Sequence, residues 1–273
     1  MKVEDTLRRE LLAGVVDAGQ RVLEIYAQDF SVEIKADDSP LTQADMASHH
    51  MLCDLLRRLT PDVPILSEES EAIDYETRRQ WSNYWLIDPL DGTKEFIDRN
   101  GEFTLNVALI ENGIPVFGIV LAPVLGVTWW GDAELGAFKI TAEGERPIGV
   151  RTLPTADERP WLIVGSRFHG VESFETFCDQ LPDHERVSMG SSLKLCLVAE
   201  GAADLYPRLA PTCEWDTAAA QAVVTAAGGL VLDADNLRPL RCNQQPSLLN
   251  PFFIVCGQRN PRWEKALSVA LSV

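Results

Sequence analysis

The chain has 273 residues, 46% of them hydrophobic and 24% charged, enough for a sizeable core in one large domain or two closely packed halves. Its 24 Lys and Arg against 41 Asp and Glu leave a net charge of −17, which excludes general electrostatic binding to polymeric nucleic acid or to an anionic membrane surface. Six cysteines without a Cys-x-x-Cys pair, and four histidines of which only His49 and His50 adjoin, argue for free thiols in a reducing compartment and against a zinc site.

Leu7, Leu11, Val15, Val22 and Tyr26, joined by Leu12, Val16 and Leu23, recur at helical spacing and predict an amphipathic helix over 4–28. Val32-Glu33-Ile34-Lys35 then leads into a polar loop from Ala36 to Pro40. Thr42 with Asp45 three residues on marks a second helix start, and Leu52, Leu55, Leu56 and Leu59 carry that helix to Pro61. Pro64-Ile65-Leu66 reads as a short strand running into Ser67-Glu68-Glu69. Tyr84 to Ile87 is an apolar strand that ends abruptly in Asp88-Pro89-Leu90-Asp91-Gly92-Thr93.

Phe103–Ile110 and Pro115–Leu121 form a predicted hairpin about Asn112-Gly113, extended by Val127–Trp130 and Ala137–Ile140. Residues 141–160 are polar and contain proline, and they mark the expected boundary between subdomains 1–150 and 151–273. The second half alternates: strand Trp161–Val164, helices Val171–Leu181 and Ser191–Glu200, strand Ala203–Tyr206, helix Thr217–Ala227, strands Leu230–Leu232 and Phe252–Cys256. A last helix is capped by Asn260 with Pro261 at its first position. The pattern is that of an α/β chain. No stretch approaches a membrane span and no apolar leader follows Met1, so a cytoplasmic protein is expected.

The strand end at Asp88 is the natural place for a site, because α/β sheets bind ligands where strands end and the backbone turns. Asp88 and Asp91 lie close across a proline-stiffened turn and repel each other unless a cation sits between them, although an ordinary Asx turn has the same composition. Covalent aspartyl-phosphate chemistry of the Asp-x-Asp-Gly-Thr type is excluded, since Pro89 stands where that nucleophile would be. Asp45, Glu68, Asp216, Ser191, Lys194 and Arg208 are further candidates. Each alone has a plain structural reading as a cap, a solvated acid or a surface cation.

Together these segments resemble the inositol monophosphatase superfamily, and within it the bacterial 3′(2′),5′-bisphosphate nucleotidases. The resemblance runs through Lys35–Thr42, Pro61–Glu69, Asp88–Phe96, Asn100–Thr104, Gly190–Lys194, Leu205–Arg208 and Trp215–Ala218, with Asp-Pro-Leu-Asp-Gly-Thr-Lys-Glu-Phe as its most specific run. It implies an αβαβα sandwich of the sugar-phosphatase type. It also implies that Glu68, Asp88, Asp91, Asp216 and the Leu90 carbonyl hold two or three Mg²⁺ ions, and that Asp45 and Thr93 orient and deprotonate the attacking water. Backbone N–H groups of Gly92 and Thr93 would cradle the cleaved phosphate. Ser191, Lys194, Arg208 and His169 would hold the remainder of a small nucleotide, although Gly165-Ser166-Arg167-Phe168-His169 departs from the family's usual Ser-x-Ser-His. Four carboxylates and a phosphate dianion carry about −6, which about three Mg²⁺ balance.

The implied reaction is removal of the 3′-phosphate from adenosine 3′,5′-bisphosphate, with 3′-phosphoadenylyl sulfate as a second substrate and sensitivity to Li⁺. An inositol or fructose phosphate phosphatase is the same-fold alternative, and a silent nucleotide and metal sensor the alternative of another class. The resemblance extends to peripheral association with the cytoplasmic face of the inner membrane, for which no anchor is visible, and it leaves the oligomeric state open.

Overall fold

The computed structural model describes residues 1–34, 40–154, 158–166 and 171–272. The polar loop after Ile34 and His169 lie outside the described residues. In chain order the elements are α1 (Asp5–Tyr26), β1 (Val32–Ile34), β2 (Pro40–Thr42), α2 (Gln43–Leu59), β3 (Ile65–Ser67), α3 (Tyr75–Arg78), β4 (Asn83–Asp91) and α4 (Thr93–Ile97). Next come β5 (Thr104–Glu111), β6 (Ile114–Ala122), β7 (Val127–Asp132), β8 (Gly136–Thr141) and β9 (Gly144–Ile148). The second half holds β10 (Trp161–Gly165), α5 (Val171–Asp179), β11 (His184–Ser188), α6 (Leu193–Ala199), β12 (Leu205–Arg208), α7 (Glu214–Ala226), β13 (Leu230–Asp233), β14 (Phe253–Cys256) and α8 (Pro261–Ala270).

A seven-stranded sheet in the order β3-β4-β5-β6-β7-β8-β9 is parallel only at β3–β4, and a five-stranded sheet has the order β11-β10-β12-β14-β13. α1 and α2 cover one face of the first sheet, burying Leu11, Val15, Leu52 and Leu56 against Trp85, Ile87, Val107 and Phe117. α6 and α7 fill the space between the sheets, where Leu195, Ala219 and Val223 meet Leu86, Ala108, Val120 and Val255. α5 and α8 close the far face, packing Phe177, Trp263 and Leu267 on Trp161 and Ile163. The layers are therefore αβαβα.

Because β4 is buried on both faces, its apolar residues run continuously instead of alternating with polar ones. The middle helix lies unusually close to the first sheet: a Cβ on Gly118 would fall 2.2 Å from the Ala219 carbonyl oxygen, and one on Gly131 2.6 Å from the Val223 Cα. Alanine on the helix and glycine on the strand thus set the height of α7, whose first turn carries Asp216.

Local chemistry accounts for most of the expected boundaries. Thr42 and Asp45 form the capping box of α2. Asn112 (φ 50°) and Gly113 (φ 78°) make the left-handed pair of a tight hairpin, and Asn260 caps α8 with Pro261 at its start. The 141–160 stretch is not wholly a linker, since β9 pairs there with β8 as an exposed edge strand. The strand expected over Ala203–Tyr206 begins and ends later, at Leu205–Arg208, and so brings Arg208 to its end. The helix expected from Thr217 starts earlier, at Glu214. The short α3 and α4 and the edge strand β11 have no counterpart in the sequence reading.

Candidate active site

β4 ends in a bulge: Asp88 pairs with Asn106 and Asp91 with Thr104, so three steps on one strand oppose two on the other. In a regular strand, residues three apart face opposite sides of the sheet. The extra residue removes that conflict and brings both carboxylates to one place. Pro89, with no N–H for the ladder, lies in the irregular segment. Asp216 arrives from the first turn of α7, where its Oδ2 accepts from the Cys213 N–H at 2.9 Å. Carboxylate oxygens of Asp88, Asp91 and Asp216 all lie within 4.8 Å of one another.

Burial is the chief force on these acids. It holds Asp88 well above the usual carboxylate range, reinforced by Glu68, Asp91 and Asp216. Asp216 is raised likewise, first by burial and then by Asp91. Asp91 is pushed up to about 6 by burial against the attraction of Lys194. Glu68 reaches the same place from the end of β3, where its N–H donates to the Ile87 carbonyl at 3.2 Å. An all-oxygen cluster of acids raised by burial and by one another suits a hard divalent cation such as Mg²⁺.

Asp45 sits in the first turn of α2, 2% exposed. Its Oδ2 accepts from the Thr42 N–H (2.8 Å) and hydroxyl (2.6 Å), and its Oδ1 accepts from Thr93 Oγ1 at 3.2 Å. Burial raises its pKa against the two Thr42 hydrogen bonds. Thr93 Oγ1 also lies 3.4 Å from the Leu90 carbonyl. Gly92 (φ +92°) turns the chain into α4, whose first N–H groups have no intrahelical partner.

The second half supplies the buried cations of the cleft. Glu68, Asp91, Thr93, Ser191, Lys194, Arg208 and Asp216 line one cleft of about 300 Å³. Lys194 is 6% exposed; its Nζ donates to the carbonyls of Met189 (3.1 Å) and Ser191 (2.7 Å). Burial lowers its pKa to about 8, against the attraction of Asp91. Arg208 is 8% exposed and donates through Nη2 to the Pro211 carbonyl at 2.7 Å, while its Nε and the Ser191 hydroxyl are buried with no hydrogen-bond partner. Asp45, Glu68, Asp88, Leu90, Asp91, Gly92, Thr93, Ser191, Lys194, Arg208 and Asp216 thus converge.

The backbone N–H groups of Ser192 and Gly190 carry no side-chain signal in the sequence. The Ser192 N–H donates to Asp91 Oδ2 at 2.5 Å, and Ser192 Oγ joins Asn106 Oδ1 and Thr104 Oγ1, each at 2.8 Å. Glu102 Oε2 accepts from the Gly190 N–H at 2.7 Å. These contacts stitch the Gly-Ser-Ser turn of one sheet layer to the acids of the other. Their signal was the Asn-Gly-Glu-Phe-Thr and Gly-Ser-Ser-Leu-Lys motifs, in which only the side chains of Ser191 and Lys194 had been given roles.

The raised carboxylates give a pH dependence. A buried acid whose folded pKa exceeds its unfolded one stabilises the metal-free protein below about pH 4, and that stability is lost as pH rises through about 6 for Asp91. A cation replaces the protons. Mg²⁺ should therefore raise the unfolding temperature more at about pH 7.5 than at about pH 5. Equal shifts at the two pH values would count against a cation among these acids.

The profile of the inositol monophosphatase family matches residues 5–265. The chain is 49% identical over 241 residues to the Escherichia coli K12 3′(2′),5′-bisphosphate nucleotidase CysQ, covering 88% of this chain and 95% of that protein. It is 35% identical over 264 residues to the Haemophilus influenzae protein of the same name, covering 96% and 97%. The crystal structure of CysQ from Bacteroides thetaiotaomicron, described as a bacterial member of the inositol monophosphatase family, superposes with a TM-score of 0.80 at 39% identity over 92% of this chain and 97% of that one. With the layered fold and the acid cluster in place, the chain belongs to the inositol monophosphatase family.

Proposed function

We propose that the chain is a Mg²⁺-dependent 3′(2′),5′-bisphosphate nucleotidase. It removes the 3′-phosphate of adenosine 3′,5′-bisphosphate to give AMP and phosphate, and acts also on 3′-phosphoadenylyl sulfate. The observation that carries this reading is the two-pole cleft. Clustered acids and the buried cations Lys194 and Arg208 line the same cleft, with Arg208 Nε and Ser191 Oγ still lacking partners. A substrate with one phosphate needs only the first pole, whereas a bisphosphate uses both. The names of the curated relatives support the same reaction.

Glu68, Asp88, Asp91, Asp216 and the Leu90 carbonyl would hold two or three Mg²⁺ ions. Such ions would offset the charge of a phosphate dianion and make a bound water a stronger acid than bulk water. The chain's own groups do the rest. Thr93 Oγ1, held on Asp45 Oδ1, orients the attacking water. Asp45, raised by burial, accepts its proton. The N–H groups of Gly92 and Thr93 bind the phosphate that is cleaved. Ser191, Lys194 and Arg208 bind the one that is kept, and His169 is assigned to the nucleotide on resemblance alone. Subdomains 1–150 and 151–273 both contribute to the cleft, the second through Asp216 as well as through Ser191, Lys194 and Arg208. No described helix is long and apolar enough to cross a membrane, and the proposed location is the cytoplasm.

Arg208→Ala tests the second pole. A hydrogen bond to a charged group contributes roughly 1.5–3 kcal/mol, so kcat/KM on adenosine 3′,5′-bisphosphate should fall about 10- to 150-fold. The slow hydrolysis of 3′-AMP should scarcely change. Equal losses on both substrates would remove the second-phosphate role and favour the inositol phosphate reading.

A further inference from the structure

The inner face of α2 presents three buried polar side chains, Asp45 and, one turn on, Ser48 and His49. Each reaches a different segment of the proposed metal centre. Asp45 accepts from Thr93, Ser48 Oγ donates to the Pro89 carbonyl at 2.7 Å, and His49 Nδ1 lies 2.9 Å from Ser67 Oγ. The catalytic reading uses Asp45 and leaves the other two without a task.

The geometry of both contacts is specific. The Pro89 carbonyl and the Leu90 N–H belong to one peptide plane, and that N–H donates to Asp88 Oδ1 at 3.0 Å. Ser48 therefore holds the plane that aims Asp88. β3 is an edge strand of three residues paired only with β4, so the sheet alone anchors Glu68 weakly. His49 ties β3 from the helix side, at the residue immediately before Glu68. Ser67 Oγ also receives the Glu69 N–H at 3.4 Å, so His49 and the turn that carries both glutamates share one hydroxyl.

We infer that His49, supported by Ser48, is a positioning residue of the metal centre: α2 is the bar against which Glu68 and Asp88 are set at the spacing a divalent cation requires. This role rests on the metal-centre reading above. Partners that orient metal ligands typically alter metal affinity 10- to 100-fold when removed, and His49 acts through one intervening residue, so about tenfold is expected.

The test is Mn²⁺ binding to the substrate-free full-length protein, measured by calorimetry. His49→Ala should weaken binding about tenfold and raise the Mg²⁺ concentration for half-maximal rate by a similar factor. KM for the nucleotide at saturating Mg²⁺ should stay where it was. His49→Gln, which keeps a polar group toward Ser67, should recover most of the affinity. Ser67→Ala should weaken binding comparably, and the His49→Ala/Ser67→Ala pair should lose less than the sum of the two single losses. Should His49→Ala fail to fold, Ser67→Ala carries the expected loss. Unchanged Mn²⁺ affinity in folded His49→Ala or Ser67→Ala, or strictly additive losses, would overturn the role while leaving the metal centre standing. Wild-type protein that binds no Mn²⁺ would remove the metal centre and this role with it.

Discussion

Asp91→Asn should lower turnover by about 10³-fold or more while the protein stays folded. Asp91 sits where both halves meet, among Asp88 and Asp216 and under the Ser192 N–H. An asparagine keeps the shape, and its carbonyl oxygen can still accept from Ser192. The amide group then turns its N–H₂ toward the other acids, where it repels a cation and cannot replace the lost charge. Because burial already raises Asp91 to about 6, the neutral amide should leave the metal-free protein at about pH 7.5 as stable as wild type or more so. Activity and stability therefore move in different directions. Steady-state rates at matched Mg²⁺ together with thermal unfolding check this, and wild-type turnover in the variant would remove Asp91 from the centre.

Asp45→Asn and Thr93→Ala should each lower kcat by about 10²- to 10⁴-fold with little change in KM, since general-base catalysis acts on the attacking water and not on the bound nucleotide. The two residues share one hydrogen bond, Thr93 Oγ1 to Asp45 Oδ1, so the double variant should lose no more than the worse single one. Asp45 is also the N3 member of its capping box. Asparagine keeps an oxygen for the Thr42 N–H, which separates the catalytic loss from a loss of helix. A rise in KM alone, in either variant, would reassign that residue to substrate binding.

Features set by local chemistry were legible in the sequence. The Thr42–Asp45 box, the Asn112-Gly113 turn and the Asn260-Pro261 start each fix backbone geometry within four residues, and all three stand in the fold. So does β4, whose continuous apolar run signals burial on both faces. The convergence of the site residues was legible through motif resemblance, and its cause was not. Asp88 and Asp91 share a face because of a bulge defined by the register of β5, a partner whose pairing no local pattern encodes. The edge strands β9 and β11 are largely exposed and polar, so they lack the alternation that marks half-buried strands. α4 spans only five residues, too few to show a helical repeat, and its role comes from the Gly92 backbone turn. Ser192 acts through a main-chain N–H, which every residue but proline carries and which composition therefore cannot flag. His49 looked like half of a histidine pair, whereas its partner is Ser67, on another element.

The most direct measurement is phosphate release, with and without Mg²⁺, from equal concentrations of adenosine 3′,5′-bisphosphate, inositol 1-phosphate and fructose 1,6-bisphosphate. A cleft that holds both an acid cluster and the cations Lys194 and Arg208 predicts strictly Mg²⁺-dependent release, with kcat/KM highest on the nucleotide. A preference for inositol 1-phosphate or fructose 1,6-bisphosphate, or release that does not need the cation, would contradict it.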